Sequence, residues 1–114
     1  MTLRLETISL DCVDPVALGQ FWCALLDGEL EEHDDGHMSV QFHGGELLLM
    51  IDPNRKTSKN RIHLDLRPDN QALEVARAEA LGATRIDISQ GEVSWVVLAD
   101  PEGNEFCILN SMMV

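Results

Sequence analysis

Apolar and polar residues alternate in two segments of the chain that are almost copies of one another. In LRLETISLDC (residues 3–12) Ile8, Leu10 and Cys12 alternate with Thr7, Ser9 and Asp11, and in RIHLDLR (residues 61–67) Ile62, Leu64 and Leu66 alternate with Arg61, His63, Asp65 and Arg67. Side chains on a strand point alternately to its two faces, so each segment predicts a strand with one apolar and one polar or ionisable face. After the first, Asp14 and Pro15 supply an N-cap and a first-turn residue. Leu18, Phe21, Trp22 and Leu25 then follow at helical spacing up to Gly28, which predicts a helix near 15–27. After the second, Asp69 or Asn70 can cap, Leu73, Ala76 and Ala80 form the stripe and Gly82 closes, which predicts a helix near 69–81.

The likeness continues beyond the helices. GHMSVQF (residues 36–42) matches GEVSWVV (91–97), the HGGE turn matches ADPEGNE, and the closing strands are ELLLMI and NEFCIL. With short strands at ELEEH (29–33) and TRIDIS (84–89), each half reads β-α-β-β-β. PNRKTSKN (53–60) joins module one (1–52) to module two (61–114) as one α+β domain. Four strands and a helix cannot cover both faces of their sheet, so helices on the convex face of a curled mixed sheet and a free concave face are expected. By parity Ile8, Leu10, Cys12, Leu47, Leu49, Ile51, Ile62, Leu64, Leu66, Phe106 and Ile108 belong to the core. Thr7, Ser9, Asp11, Arg61, His63, Asp65 and Arg67 face the other way, with Leu48, Met50 and Cys107. Trp22 and Trp95 read as core aromatics.

Paired modules, KNRIHLDL leading into HLDLRPDN, the LGAT after the second helix and the DPEGNEFCIL ending resemble the vicinal oxygen chelate superfamily, in particular its small glyoxalase-like and bleomycin-resistance-like proteins. Metal-dependent members hold a divalent ion through four side chains, one from the first and one from the last strand of each module. The resemblance places those positions at Thr7, Met50, His63 and Cys107. A hard ion wants oxygen donors and Ni²⁺ or Zn²⁺ wants imidazole, carboxylate or thiolate, and no carboxylate stands at any of the four. No metal and no cofactor are therefore expected. His63 reads instead as a hydrogen-bonding or proton-transfer group, since imidazole exchanges protons near neutral pH, with Asp65 two residues on able to fix its tautomer.

Composition narrows the function classes. Twenty Asp+Glu against 8 Lys+Arg give a formal charge of -12, which repels nucleic-acid phosphates and favours a cationic partner if any. No apolar run approaches a membrane span and the N-terminus lacks signal-peptide zones. Three cysteines without paired spacing suit a reducing compartment, so a cytoplasmic protein is expected. HDDGH reads as a turn with His33 and His37 at exposed hairpin ends, and Ser39, Gln41 and His43 share a face beside it. The expectation is a small-molecule-binding protein whose ligand contacts Thr7, Ser9, Asp11, Gln41, Met50, His63, Asp65 and Cys107. Three function classes follow from the resemblance: a metal-independent lyase, isomerase or dehydratase acting through His63; a drug-sequestering binding protein; or a metal-dependent glyoxalase or dioxygenase with atypical ligands. A symmetric homodimer is expected in each case.

Overall fold

A computed structural model describes residues 3–86 and 94–111. It divides into two compact units, Met1–Arg55 and Lys56–Val114, and the division falls inside the 53–60 joining segment.

The first unit contains β1 (Ile8–Cys12), α1 (Pro15–Leu26), β2 (Glu29–Glu32), β3 (Met38–Phe42) and β4 (Gly45–Ile51). Its four-stranded sheet has the order β1-β4-β3-β2, with β1 parallel to β4 and the other pairs antiparallel. Asp14 caps α1 by accepting a hydrogen bond from the Ala17 amide (3.0 Å), and Pro15 opens the first turn. Asp27 ends the helix in the left-handed region, where its φ is 53°. Gly28 then passes so close to β3 that a Cβ there would lie 2.5 Å from the Gln41 carbonyl oxygen. The apolar stripe of α1 is the expected one. Leu18, Phe21, Trp22 and Leu25 are buried with Met38, Val40, Leu47 and Leu49, and the Phe21 and Trp22 rings meet edge to face at 5.3 Å.

The second unit repeats the topology with shorter elements: β5 (Leu64–Leu66), α2 (Gln71–Leu81), β6 (Thr84–Arg85), β7 (Val96–Ala99) and β8 (Glu105–Ile108), in the order β5-β8-β7-β6. Asn70 is the residue that caps α2, accepting from the Leu73 amide at 3.0 Å, and Gly82 closes it at a φ of 120°. Phe106, Ile108 and Leu98 are fully covered on the even-numbered face. The turn between β7 and β8 is organised by buried Asp100. Its carboxylate accepts from the Glu102 and Asn104 amides, both at 2.9 Å, and from the Asn104 side chain. Residues 87–89 of the expected TRIDIS strand and 91–93 of GEVSWVV lie outside the described residues.

Several expected burials do not occur. Ile62 is 81% exposed because β5 begins only at Leu64, leaving Arg61 and Ile62 in the bend before the strand. Ile51 is exposed at the last position of β4, and Ile8, Leu10, Leu64 and Leu66 are half-buried. On α2 the inward residues are Val75 and Ala78, whereas Leu73 is 62% exposed and Ala76 and Ala80 are also outside. Trp95 precedes β7 and is partly exposed, so it is not a core residue. His33 and His37 are half-buried rather than exposed: a ring nitrogen of His33 bonds the buried Ser39 hydroxyl (2.9 Å), and His37 Nδ1 accepts from the Ile51 amide (3.0 Å). Ser39 is thereby enclosed, and it does not share an open face with Gln41. No helix among the described residues is long and apolar enough to cross a membrane.

Candidate functional site

The odd-numbered face of the second unit is the wall of a hollow. In the parallel β5–β8 ladder Leu64, Asp65 and Leu66 stand opposite Phe106, Cys107 and Ile108, and in the antiparallel β7–β8 ladder Val97 stands opposite Cys107. The residues that alternate away from the helix are therefore brought side by side. Together with Lys59, Asn60, Trp95 and Leu109 they enclose about 410 Å³. That volume lies within the roughly 300–1,000 Å³ of small-molecule sites.

His63 and Asp65 form the polar centre. His63 Nδ1 lies 3.0 Å from Asp65 Oδ1 and 3.9 Å from Cys107 Sγ. A carboxylate only accepts, so a neutral His63 carries its proton on Nδ1 toward Asp65 and keeps Nε2 as an acceptor. The histidine and the aspartate side chains are each about half exposed, at 52% and 49%, so both are within reach of a solute. The Cys107 thiol is instead buried. Burial pushes its pKa up, the neighbouring Asp65 charge and a hydrogen bond to Asp65 push it further, and Glu105 adds to this while Lys59 opposes it. Cys107 is accordingly a neutral thiol near pH 7 rather than a nucleophilic thiolate. Lys59 Nζ lies 2.7 Å from Glu105 Oε1, so the ammonium and one of the two carboxylates at the hollow are paired with each other.

The remaining expected ligand contacts belong to the first unit. Ser9 and Asp11 are exposed on β1 beside Leu48 and Met50 of β4, with Met50 half-buried. Thr7 borders a separate small hollow of about 80 Å³ with Phe42 and Glu46, and its hydroxyl donates to the Glu46 carbonyl at 3.1 Å. Gln41 is exposed and bonded to the Glu46 carboxylate. Of the eight positions, His63, Asp65 and Cys107 thus share one hollow in the second unit. Lys59, Asn60, Trp95, Val97, Glu105 and Leu109 were not foreseen. The parity that turned Cys107 outward also turns out Glu105 and Leu109, so that signal was present in the sequence.

Two β-α-β-β-β units, with the ionisable face of a first strand walling a hollow, define a glyoxalase-like protein. The chain belongs to the glyoxalase-like domain family, whose model matches residues 7–109, and so to the vicinal oxygen chelate superfamily. Among curated proteins no sequence matches. A glyoxalase/bleomycin resistance protein/dioxygenase family enzyme from Burkholderia phytofirmans PsJN has a similar structure, with a TM-score of 0.80 at 20% identity, covering 96% of this chain and 100% of that one. The fosfomycin resistance protein FosX from Listeria monocytogenes gives a TM-score of 0.76 at 17% identity, with 99% and 94% covered. A mutant of the Listeria protein complexed with Mn(II) and 1S,2S-dihydroxypropylphosphonic acid gives 0.74 at 16% identity, again with 99% and 94% covered. At these identities the likeness concerns the fold.

The metal of metal-dependent relatives can be tested against the donors present. At the four corresponding positions this chain offers the hydroxyl of Thr7, the thioether of Met50, the imidazole of His63 and the thiol of Cys107. The hydroxyl is engaged with a carbonyl, and thioether and thiol are soft. The set does not fit a hard oxygen-seeking ion such as Mn²⁺.

Proposed function

We propose that this chain is a small-molecule-binding protein of the glyoxalase-like family whose organic ligand enters the hollow of the second unit. His63, oriented by Asp65, is the group that hydrogen-bonds the ligand and passes a proton to or from it. The observation that carries this reading is the His63–Asp65 pair at 3.0 Å on the wall of a 410 Å³ hollow. A fixed Nδ1–H leaves Nε2 as base, and after accepting a proton the imidazolium is stabilised by the adjacent carboxylate. An enzyme built this way is a lyase, isomerase or dehydratase that moves one proton on a small polar substrate. Trp95, Val97 and Leu109 supply the apolar walls that bury the rest of the molecule.

A second reading, sequestration of a cationic drug, is favoured by the charge at the hollow. Glu105 is paired with Lys59, and the Asp65 carboxylate lines the same hollow beside the partly exposed Trp95 ring, a combination that attracts a cation. The same proposal includes a homodimer, as the family resemblance implies, and a cytoplasmic location, supported by the free thiols of Cys12, Cys23 and Cys107.

Thermal melting against a panel of small hydroxy acids, carbonyl compounds and organic amines tests these readings. A compound bound at about a hundredfold excess over its Kd stabilises by about 2.7 kcal/mol, and His63→Ala or Asp65→Ala is expected to remove that gain while the free protein stays folded. Turnover of a neutral or anionic compound favours the enzyme, and saturable binding of amines alone favours sequestration. A panel in which every affinity ignores both substitutions overturns the site.

A further inference from the structure

The four-position donor set does not suit a hard ion, but the second unit contains a different set. One ring nitrogen of His63, one carboxylate oxygen of Asp65 and Sγ of Cys107 lie within 4.8 Å of one another. Asp65 is not one of the four positions. It joins His63 because residues two apart on an extended segment share a face, and it joins Cys107 because the two are directly opposed in the β5–β8 ladder. We propose that His63, Asp65 and Cys107 form a zinc site contained within the second unit, in which a carboxylate from β5 replaces the donors that Thr7 and Met50 do not provide.

The donor chemistry selects the ion. Imidazole nitrogen, carboxylate oxygen and thiolate sulfur are the three ligand types Zn²⁺ takes, whereas a set with one oxygen donor and one sulfur is poor for Mn²⁺ or Mg²⁺. On coordination the Cys107 thiol proton leaves to solvent, and the His63 proton passes by way of solvent from Nδ1 to Nε2 so that Nδ1, the nitrogen nearest Asp65 and Cys107, can bind the ion. The Asp65 carboxylate exchanges its contact with His63 for one with the ion, and no electron is transferred. Three protein donors leave a fourth position of a tetrahedral ion for water or a solute. Because all three side chains line the same hollow, that position is reached from it. The inference uses the hollow of the proposed function but requires no organic ligand, so the two fail separately.

Co²⁺ reports on such a site, since a cobalt-bound thiolate absorbs in the near ultraviolet. Tag-free protein titrated with Co²⁺ is expected to develop this absorption with about one equivalent, and Zn²⁺ is expected to bleach it, while Mn²⁺ at about a hundredfold higher concentration does not. Cys107→Ser or Cys107→Ala abolishes the absorption. Asp65→Asn and His63→Gln, at half-exposed positions that tolerate substitution, weaken Co²⁺ binding by at least about tenfold, as loss of one donor in three requires. Thr7→Val and Met50→Leu leave the titration unchanged. Absorption that survives both Cys107 substitutions, affinity that ignores Asp65→Asn, or an equal weakening by the Thr7 and Met50 variants overturns the proposal. A normal cobalt titration in a protein that binds no compound of the organic panel supports the zinc site and removes only the earlier reading.

Discussion

The two units share a topology and differ in where their side chains have been spent. In the first, α1 buries Pro15, Leu18, Gly19, Phe21, Trp22 and Leu25 against strands of four to seven residues. In the second, α2 buries only Val75 and Ala78, β5 has three residues and β6 two. The second unit, for all its shorter elements, carries the hollow of about 410 Å³ that His63, Asp65 and Cys107 line. A duplicated architecture has thus been divided between a unit rich in large core side chains and one whose sheet face is given to ionisable groups. Repetition of a fold does not require repetition of its chemistry.

The largest effect that can break this contrast is in the core. Trp22→Ala is expected to cost about 3–5 kcal/mol, read by urea denaturation, and Val75→Ala clearly less, because fewer buried atoms leave a smaller cavity. Equal losses would mean that the second unit relies on its helix as heavily as the first.

The glycines that follow the two helices differ in kind. Gly28→Ala is expected to cost about 1–3 kcal/mol because its Cβ would press on backbone, 2.5 Å from the Gln41 oxygen. Among the described residues Gly82→Ala meets only Pro101 Cγ at 3.5 Å, and its cost, about 1–2 kcal/mol, comes from placing an L-residue at a φ of 120°. Gly82→Asn, which tolerates positive φ better, should recover part of the loss, whereas Gly28→Asn should recover none.

A smaller effect depends on pH. Folding raises the Cys107 pKa, so above the ordinary thiol value the unfolded chain releases this proton before the folded one does. The contribution is complete below the unfolded thiol's pKa and is lost as pH rises through the folded value, so stability declines on the alkaline side. Cys107→Ala should flatten that part of a Tm-against-pH curve. A decline of unchanged slope would assign it to other groups. The smallest effect belongs to Leu73→Ala, within about 0.5 kcal/mol at its exposed position, and a loss of several kcal/mol there would show that the Leu73 face of α2 is covered in solution.

These positions also show what could be read from the chain alone. Parity holds at Leu47 and Leu49 of β4 and at Phe106 and Ile108 of β8, where register fixes which side chains can be covered, and covers less at the strand end Ile51 and on β1 and β5. It failed at Ile62, since alternation in the sequence starts before the strand does. On α2 the choice of stripe failed because QALEVARAEAL is alanine-rich and offers two faces at helical spacing. The 73/76/80 and 71/75/78 series both satisfy the period, and only packing against β8 selects the second. The His63–Asp65 pair was legible because both lie on one segment. The approach of Cys107 to that pair depends on the β5–β8 register, and the size of Trp95 points to the core although the residue stands before β7 rather than in it.

Amide-shift mapping tests the central claim, that the second unit carries the binding wall, most directly. Labelled protein titrated with the compound that raises its Tm most is expected to show shifts concentrated in Leu64–Leu66, Val96–Ala99 and Glu105–Ile108, and these shifts should disappear in His63→Ala and Asp65→Ala. Saturable shifts confined to β1–β4, with the same affinity in both variants, would contradict the account and leave the ionisable face of RIHLDLR as an ordinary wet surface.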